Sequence, residues 1–263
     1  MIGLFLGETD FPNLILSNIK KNSIEYFIID LSSKGIFRKN KNSKKISIGQ
    51  FGKIINLIKK KNCKKVLFAG RITKPNLSSI KFDFKGIYYL PRIIQASKLG
   101  DAAILKELIK ILNEHNIRVI KSNFYNPELT LKKGYYTKLR PSFNDTKQIK
   151  IGIKYLKLTN PHDHIQALVI RNNNIIAKET AKGTKKMLQS INIKKNSRGI
   201  LIKFPKIKQD LRVDLPTIGL ESFKDCKKAN LKGIVLKSNQ NIFLDKKKCI
   251  DFANKNKIFI QII

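Results

Sequence analysis

The sequence predicts an α/β protein of two domains, the first with a Rossmann-like parallel sheet and the second with a mixed sheet and helices. Three observations support this prediction. Short apolar runs alternate with amphipathic runs, a hairpin pattern appears in the second half, and a Pro- and Gly-containing stretch without helical period separates the halves. We expect a first domain over residues 1–134, a linker over 135–144 and a second domain over 145–263.

The first half alternates strands with helices, which is typical of a parallel sheet covered by helices. Asp101 is predicted to cap the last helix of this half. The expected strands are 2–7, 25–32, 65–70 and 118–120, and the expected helices start near Pro12 and cover 48–60, 90–97 and 101–113. Ligands of such sheets bind beyond the carboxyl ends of the strands, so the segments 7–10 and 70–73 should border a cleft. The GxGxxG fingerprint is missing from residues 3–7, so a dinucleotide cofactor is not supported.

The second half contains a predicted hairpin, with strands 166–170 and 175–179 around a turn at Asn172–Asn174. Gly183 and Thr184 should open a short helix. The remaining predicted strands are 199–204, 233–236 and 258–263, and the remaining helices are 146–156, 223–229 and 245–256.

The net charge of +36 invites a nucleic-acid interpretation, which the distribution of the charge does not favour. Only eight of the 54 basic residues are arginine, and the lysines are spread along the whole chain. RNA-binding proteins more often concentrate arginine and stacking aromatic residues. We therefore expect no nucleic-acid partner, but an attraction to anionic substrates and to an anionic membrane surface.

Cysteine and histidine contribute little to a metal prediction. Cys63, Cys226 and Cys249 are widely spaced, and we expect three reduced, buried or half-buried thiols, as in a cytosolic protein. The His-Asp-His run at 162–164 follows a proline in a loop and is a weak metal pattern.

The stretch KQDLRVDLPTIGLE at 208–221 concentrates acids in a chain that has only 18 of them. Asp210, Arg212 and Asp214 alternate, so on an extended backbone their side chains would share one face. Pro216 predicts that the extended piece ends in a turn. This arrangement suits a Mg²⁺ site, or a carboxylate that positions water near a phosphate. The alternative is an arginine–aspartate pair that braces a loop.

Two further stretches carry phosphate-binding chemistry. Glu179 follows a hairpin strand, and Gly183-Thr184 begins a helix whose backbone N–H groups favour an anion. The alternative is a helix cap by Thr184 without a ligand. Residues 68–75 end a strand with glycine, arginine and lysine, which suits either a diphosphate clamp or a solvated loop.

Six stretches of the chain together resemble one known family. They are IGLFLG at 2–7, IGQFGKI at 48–54, FAGRITKP at 68–75, LPRIIQASKLGDAAIL at 90–105, GTKKML at 183–188 and PKIKQDLRVDLPTIG at 205–219. The sequence is similar to the LpxI-type UDP-2,3-diacylglucosamine pyrophosphatases of lipid A biosynthesis. The last stretch is the most specific, and the family's essential aspartate falls on Asp214.

The resemblance implies Mg²⁺-dependent hydrolysis of the diphosphate of UDP-2,3-diacylglucosamine to UMP and 2,3-diacylglucosamine 1-phosphate. It implies attack of water on the phosphorus of the glucosamine side. It also implies two α/β domains with the acyl chains held in a chamber between them, and a homodimer. The protein should then be cytoplasmic, in peripheral contact with the inner face of the inner membrane.

The candidate site residues combine this resemblance with side-chain chemistry. Asp214 is the expected catalytic carboxylate, and Asp210 and Glu179 are the expected further ligands of Mg²⁺. Nine residues from both halves are assigned to substrate binding. They are Arg212, Thr217, Lys203, Gly183, Thr184, Gly70, Arg71, Gly7 and Asp101.

Several positions depart from the family pattern. Ala102 stands where the family has a second acid, and Lys182 and Lys185 replace two acids around Gly183. These lysines suit direct neutralisation of phosphate. Asp163 and Gln166 match a family D-x-x-Q before the hairpin. The alternative function is a non-catalytic basic module that binds RNA or an anionic membrane surface, or an inactive relative of the family.

Overall fold

A computed structural model describes residues 1–72, 80–159, 165–180, 182–193, 197–206 and 209–263. The chain forms two compact units. Residues 1–127 and 210–214 belong to the first, and residues 128–209 and 215–263 belong to the second. The predicted α/β class is confirmed, since the first unit contains a parallel sheet and the second a mixed one.

The sheet of the first unit has the strand order of a Rossmann-like fold. Its strands are β1 (Ile2–Leu6), β2 (Tyr26–Asp30), β3 (Ser43–Lys45), β4 (Lys65–Ala69) and β5 (Arg118–Val119). They are parallel and lie in the order β3-β2-β1-β4-β5. The order reverses between β1 and β4, which is where sheets of this kind bind ligands.

Helices cover this sheet, and alternate residues of each strand face opposite sides. The helices are α1 (Phe11–Lys21), α2 (Phe51–Lys60), α3 (Phe84–Lys98) and α4 (Asp101–Glu114). Phe5, Ile29 and Phe68 of the strands form one core with Ile55 of α2 and Leu112 of α4. The carboxyl ends of the strands are therefore held by packing on a rigid scaffold.

Three local expectations for this unit need correction. The strand β3 was not predicted, because its sequence Ser-Lys-Lys has no apolar pattern and it forms only by pairing with the edge of β2. Helix α3 begins at Phe84 rather than Leu90, and it continues through Pro91. Asp101 is the first residue of α4 rather than its cap, and Gly100 occupies the cap position.

One carboxylate fixes the starts of both α2 and α3. The side chain of Asp83 accepts hydrogen bonds from the backbone N–H groups of Gly52, Lys53 and Gly86, at 3.1, 2.8 and 2.8 Å. Burial alone would raise the pKa of Asp83, but these donors outweigh it and hold the pKa below its usual value. The helices approach so closely that a Cβ on Gly86 would lie 1.8 Å from the carbonyl oxygen of Gly49. The stretch 48–54 is thus a docking surface for α3.

The second unit is built on a six-stranded mixed sheet. Its strands are β6 (Gly134–Tyr135), β7 (Ala167–Arg171), β8 (Asn174–Lys178), β9 (Gly199–Lys203), β11 (Leu231–Leu236) and β13 (Phe259–Ile262). Two further strands, β10 (Thr217–Ile218) and β12 (Ile242–Phe243), form a separate two-stranded sheet. The order is β6-β13-β11-β9-β7-β8. The pairs β9–β11 and β11–β13 are parallel, and β7 pairs antiparallel with both β8 and β9. The predicted hairpin of β7 and β8 is confirmed.

Helices lie on both faces of this sheet. They are α5 (Phe143–Thr159), α6 (Gly183–Gln189), α7 (Leu220–Lys228) and α8 (Lys246–Lys255). Leu168 and Ile202 pack with Ile149 of α5 on one face. Ala167 and Leu201 face the other side, in the core that α6, α7 and α8 complete. The three-layer arrangement makes the end of β9 and the start of α6 neighbours, and this position holds a polar cluster.

Candidate active site

Residues 210–214 form a hydrogen-bonded turn. The N–H groups of Val213 and Asp214 both donate to the carbonyl oxygen of Asp210, at 3.1 and 3.0 Å. The expectation that Asp210, Arg212 and Asp214 share one face of an extended strand is therefore wrong. The three charged residues lie in a tight turn instead, in which the carbonyl oxygen of Asp210 accepts hydrogen bonds from two N–H groups.

Arg212 and Asp210 form a forked ion pair within this turn. Nε of Arg212 lies 3.0 Å from Oδ1 of Asp210, and Nη2 lies 2.7 Å from Oδ2. The backbone N–H of Arg212 donates to the same Oδ1 at 2.9 Å. The pKa of Asp210 is lowered, first by the Arg212 guanidinium, and the pKa of Arg212 is raised by the carboxylate. Both oxygens of Asp210 are thus engaged by one neighbour, so the bracing pair expected as an alternative is present.

The turn is anchored on the first unit by its two central residues. Val213 is partly buried and packs against the apolar core of the first unit. The carbonyl oxygen of Arg212 accepts a hydrogen bond from the N–H of Ser122 at 2.7 Å. Asp214 follows directly after these two contacts, so its backbone position is set by the core of the first unit.

A second polar cluster lies in the second unit and joins three of the predicted residues. Nζ of Lys203 donates to Oγ1 of Thr184 at 3.0 Å, and that hydroxyl donates to Oε1 of Glu179 at 2.8 Å. The register of the sheet explains this arrangement. Lys203 pairs with Ala167, and the N–H of Glu179 donates to the carbonyl of Ala167 from the other side, so both side chains face α6.

Glu179 in this cluster keeps one unsatisfied oxygen. Its side chain is buried, and its Oε2 has no hydrogen-bond partner among the residues that the structure describes. A buried carboxylate oxygen without a donor is costly, and it fits a site that a cation, a water molecule or a substrate group completes. Helix α6 begins at Gly183, as predicted, but Lys182 occupies its cap position and no side chain caps it. The hydroxyl of Thr184 is directed to Glu179 instead of the helix end.

The switch point of the first unit brings Gly7 and Gly70 together. The N–H of Glu8 donates to the carbonyl of Arg71 at 2.7 Å, and the N–H of Arg71 donates back at 2.9 Å. A Cβ on Gly7 would lie 2.3 Å from the carbonyl oxygen of Arg71. The N–H groups of Glu8 and Arg71 are therefore already engaged by each other's carbonyl oxygens, and the exposed side chain of Arg71 is the group that a diphosphate would meet.

The loop after β1 is held by its own side chains and carries an unusual backbone angle. Oε1 of Glu8 accepts hydrogen bonds from the N–H and the hydroxyl of Ser33. Thr9, the next residue, has φ of 101°, a region that β-branched residues rarely adopt. At the end of β2, the carboxylate of Asp30 accepts from Ser32 and Phe37, which closes the neighbouring loop.

The comparisons with known proteins agree with the sequence motifs. A model of the LpxI N-terminal domain matches residues 1–129, and a model of the LpxI C-terminal domain matches residues 132–261. The chain belongs to the LpxI family. It is also similar to the UDP-2,3-diacylglucosamine pyrophosphatase LpxI of Caulobacter vibrioides, with 29% identity over 223 residues, 82% of this chain and 80% of that protein.

The two LpxI domain models divide the chain close to the boundary of the compact units, between residues 127 and 128. The segment 210–214 lies inside the match to the C-terminal domain, yet by its contacts it belongs to the first unit. The most specific LpxI motif of this chain is therefore shared between two structural units.

The other predicted LpxI site residues have separate positions. Thr217 lies in β10 with an exposed side chain, and its hydroxyl donates to the carbonyl of Leu215 at 3.3 Å. Asp101 places a carboxylate in the first turn of α4, where the helix dipole favours it. The loop 162–164 and residues 73–75 lie outside the described residues.

The metal-binding capacity of the described residues is limited. Across the described ranges, no group of three or more His, Cys, Asp or Glu side chains is placed to hold a metal ion. Asp210 is engaged by Arg212, whereas Oε2 of Glu179 finds no hydrogen-bond partner within the described part of the chain. The three cysteines are buried free thiols, as predicted, and burial raises the pKa of Cys249 to about 12. Thiolate ligands are thus disfavoured, and carboxylate oxygens suit a hard cation such as Mg²⁺.

From the sequence, Glu179 and Thr184 belong to one candidate stretch and Lys203 lies apart from it, and the link between Lys203 and Thr184 was missed. The signal that could have joined them is the strand register, which puts Glu179 and Lys203 level with Ala167. That register depends on antiparallel pairing of β7 with both neighbours, which no local motif states.

Proposed function

We propose that this chain hydrolyses the diphosphate of UDP-2,3-diacylglucosamine to UMP and 2,3-diacylglucosamine 1-phosphate in lipid A biosynthesis. The observation that carries the proposal is membership of the LpxI family over nearly the whole chain, with a relative of that named activity. The reaction adds one water across a phosphoanhydride bond. Each of the two clusters, taken by itself, carries a carboxylate and a cation, the groups that such a reaction needs around the phosphate oxygens.

We assign the carboxylate role to Asp214 and a positioning role to Asp210. Asp210 holds the Arg212 guanidinium in a fixed orientation, so Arg212 presents its remaining N–H groups to a phosphate. Asp214 is the residue that would hold Mg²⁺ in the first unit, and Glu179 offers an oxygen for a cation in the second. When bound, Mg²⁺ lowers the charge on the diphosphate oxygens and so lowers the barrier to attack by water.

Lys203 and Thr184 are proposed to bind a phosphate group. The Lys203 ammonium already donates one hydrogen bond to Thr184, which orients its remaining protons. Glu179 accepts from the Thr184 hydroxyl and thereby directs that oxygen's lone pairs toward Lys203. Lys182 and Lys185 flank this position in sequence and add positive charge, which favours an anionic substrate.

The decisive experiment measures UMP release by the purified full chain from UDP-2,3-diacylglucosamine in detergent, with Mg²⁺ or with EDTA. We expect release that EDTA abolishes and that Asp214→Asn lowers on the order of 100-fold or more. The matched control is Asp251→Asn, which changes an exposed aspartate on α8. Equal activity of Asp214→Asn and Asp251→Asn would remove Asp214 from the mechanism.

The same assay in ¹⁸O-labelled water tests which phosphorus is attacked. Attack on the glucosamine side places the label in the 2,3-diacylglucosamine 1-phosphate, and attack on the uridine side places it in UMP. We propose the glucosamine side, on the family resemblance. Label in UMP alone would reverse that assignment while leaving the hydrolase function intact.

We further propose a homodimer and a cytoplasmic location in peripheral contact with the inner membrane. Across the described residues, no helix is long and apolar enough to cross a bilayer. Sedimentation of the purified chain measures the oligomeric state, and fractionation of cells measures the location. A monomer at working concentration, or a protein absent from the cytoplasmic and membrane fractions, would contradict these two proposals.

A further inference from the structure

Helix α3 exposes a continuous apolar face. Phe84 is 87% exposed, Ile87 61%, Tyr88 68% and Ile94 45%, and Leu99 at the end of the helix is 73% exposed. The spacing of the helical residues among these places them on one side of the helix. A soluble protein normally scatters its exposed apolar residues singly, so a stripe of this kind indicates a binding surface.

The exposure of this face does not come from a loose helix. Asp83 accepts three backbone hydrogen bonds that tie the start of α3 to the start of α2. Arg92 in its middle donates to Glu107 at 2.7 Å and to Glu114 at 2.6 Å, which joins α3 to α4. The opposite side of α3, with Gly86, Tyr89 and Ala96, is buried. The apolar face is therefore held in place while it points away from the core.

The charged residues within α3 all have one sign. From residue 84 to residue 100 the sequence has no acidic residue, and the lysines at 81, 85 and 98 lie in or beside α3. The carboxylate of Asp83 is covered by backbone N–H donors. The whole chain carries a net charge of +36. A stripe of Phe, Ile and Tyr bordered by lysine complements an anionic lipid surface, where apolar rings enter the headgroup region and cations meet phosphate.

We propose that the exposed face of α3, centred on Phe84, Ile87 and Tyr88, docks the protein on the surface of an anionic bilayer. This inference rests on the proposed function in one respect, because a substrate with two acyl chains resides in a membrane. The described residues contain no membrane-spanning helix, so surface attachment is how the chain would reach such a substrate. Apolar contact and electrostatic attraction together supply the two signals that stable attachment requires.

The test is co-sedimentation of the full chain with vesicles of phosphatidylcholine alone and of phosphatidylcholine with phosphatidylglycerol. We expect binding to the anionic vesicles that weakens with salt, and little binding to the neutral ones. Phe84→Ser should weaken this binding about tenfold or more, through the loss of apolar area. The matched control is Phe143→Ser, because Phe143 also begins a helix and is 88% exposed, against 87% for Phe84.

A triple variant, Phe84→Ser with Ile87→Ser and Tyr88→Ser, should lose vesicle binding while keeping UMP release from detergent-dispersed substrate. Equal binding by the Phe84→Ser and Phe143→Ser proteins would overturn the proposal. A second result would also overturn it. If the wild type is a dimer, and the α3 variants become monomers without any change in vesicle binding, the face is a subunit contact. Vesicle binding by a chain that releases no UMP would defeat the proposed function and leave the docking surface standing.

Discussion

Glu179, directly after β8, and Lys203, in β9, flank Ala167 of β7, and the hydroxyl of Thr184 links their side chains with bonds of 2.8 and 3.0 Å. An acid and a base that share one hydroxyl hold each other's orientation. These hydrogen bonds join the end of the hairpin, the start of α6 and the end of β9. The residues proposed to meet phosphate are thus positioned by secondary structure rather than by a free loop.

Removing the shared hydroxyl should destabilise the protein and lower its activity. Thr184→Val keeps the shape of the side chain, but it leaves the buried Glu179 carboxylate without its donor. We expect a loss of roughly 1–3 kcal/mol in the free energy of unfolding, measured by urea denaturation. Thr184→Ser keeps the hydroxyl and is the control. If Thr184→Val and Thr184→Ser unfold at the same urea concentration, the hydroxyl link contributes nothing.

The forked pair of Arg212 and Asp210 should support UMP release and contribute a small part of the free energy of unfolding. Asp210→Asn removes the charge that orients Arg212, and we expect UMP release to fall on the order of tenfold. The cost in stability should be about 1 kcal/mol, because Arg212 is partly exposed. Glu221→Gln breaks the pair of Glu221 with Lys224 on the surface of α7 and should change neither quantity measurably.

The same pair predicts a pH dependence of stability. The folded-state pKa of Asp210 lies below the unfolded value of about 3.9, so the pair's contribution is fully present above that value. It is lost as the pH falls through the lower, folded-state pKa. The difference in unfolding free energy between the wild type and Asp210→Asn should therefore be constant near neutral pH and shrink in acid. A difference that grows in acid would mean that the pair does not depress this pKa.

Removing Asp83 should lower the free energy of unfolding more than removing Asp210, because Asp83 caps two helices at once. Asp83→Ala leaves three backbone N–H groups without their acceptor, and we expect a loss of roughly 2 kcal/mol in urea denaturation at neutral pH. Its pKa is also lowered, so this contribution too should disappear as the pH falls below the unfolded value. Asp10→Ala is the control, since Asp10 occupies the cap position of α1 without a side-chain bond. If Asp83→Ala and Asp10→Ala lose the same free energy of unfolding, the carboxylate of Asp83 does not cap the two helices.

Thr9 should be a position where a substitution stabilises the chain. Its φ of 101° strains a β-branched residue, whereas glycine adopts this angle without strain. Thr9→Gly should raise the free energy of unfolding by about 1 kcal/mol, which corresponds to a rise of about 2–4 °C in Tm. Thr9→Ala retains a Cβ and should gain less. A lower Tm for Thr9→Gly than for Thr9→Ala would show that the backbone angle at Thr9 does not destabilise the folded chain.

The sequence predicted the elements with strong apolar patterns and failed where structure depends on partners. The buried strands β1, β4 and β13 were found because apolar residues repeat along them. The strand β3 was not found, because Ser43, Lys44 and Lys45 carry no such pattern and owe their conformation to β2. Short polar edge strands are set by the sheet they join rather than by their own residues.

The geometry around three of the candidate site residues was mispredicted. Asp210, Arg212 and Asp214 alternate with period two, and the period favours an extended strand. The structure forms a turn because the Asp210 carbonyl and carboxylate both collect nearby N–H groups, a competition that periodicity does not record. Asp83 was overlooked for a similar reason, since its role depends on α2 and α3 lying side by side.

The pentapeptide 210–214 completes the first unit although it arrives late in the chain. A gene fragment that stops after Pro127 would lack this pentapeptide, and with it the side chain of Val213 that packs against the core of the first unit. Expression of the two halves as separate polypeptides would therefore yield an incomplete amino-terminal half, which only the other fragment can complement. In synthesis, this pentapeptide can join the first unit only after about four-fifths of the polypeptide has been made, well after the buried residues of that unit's core.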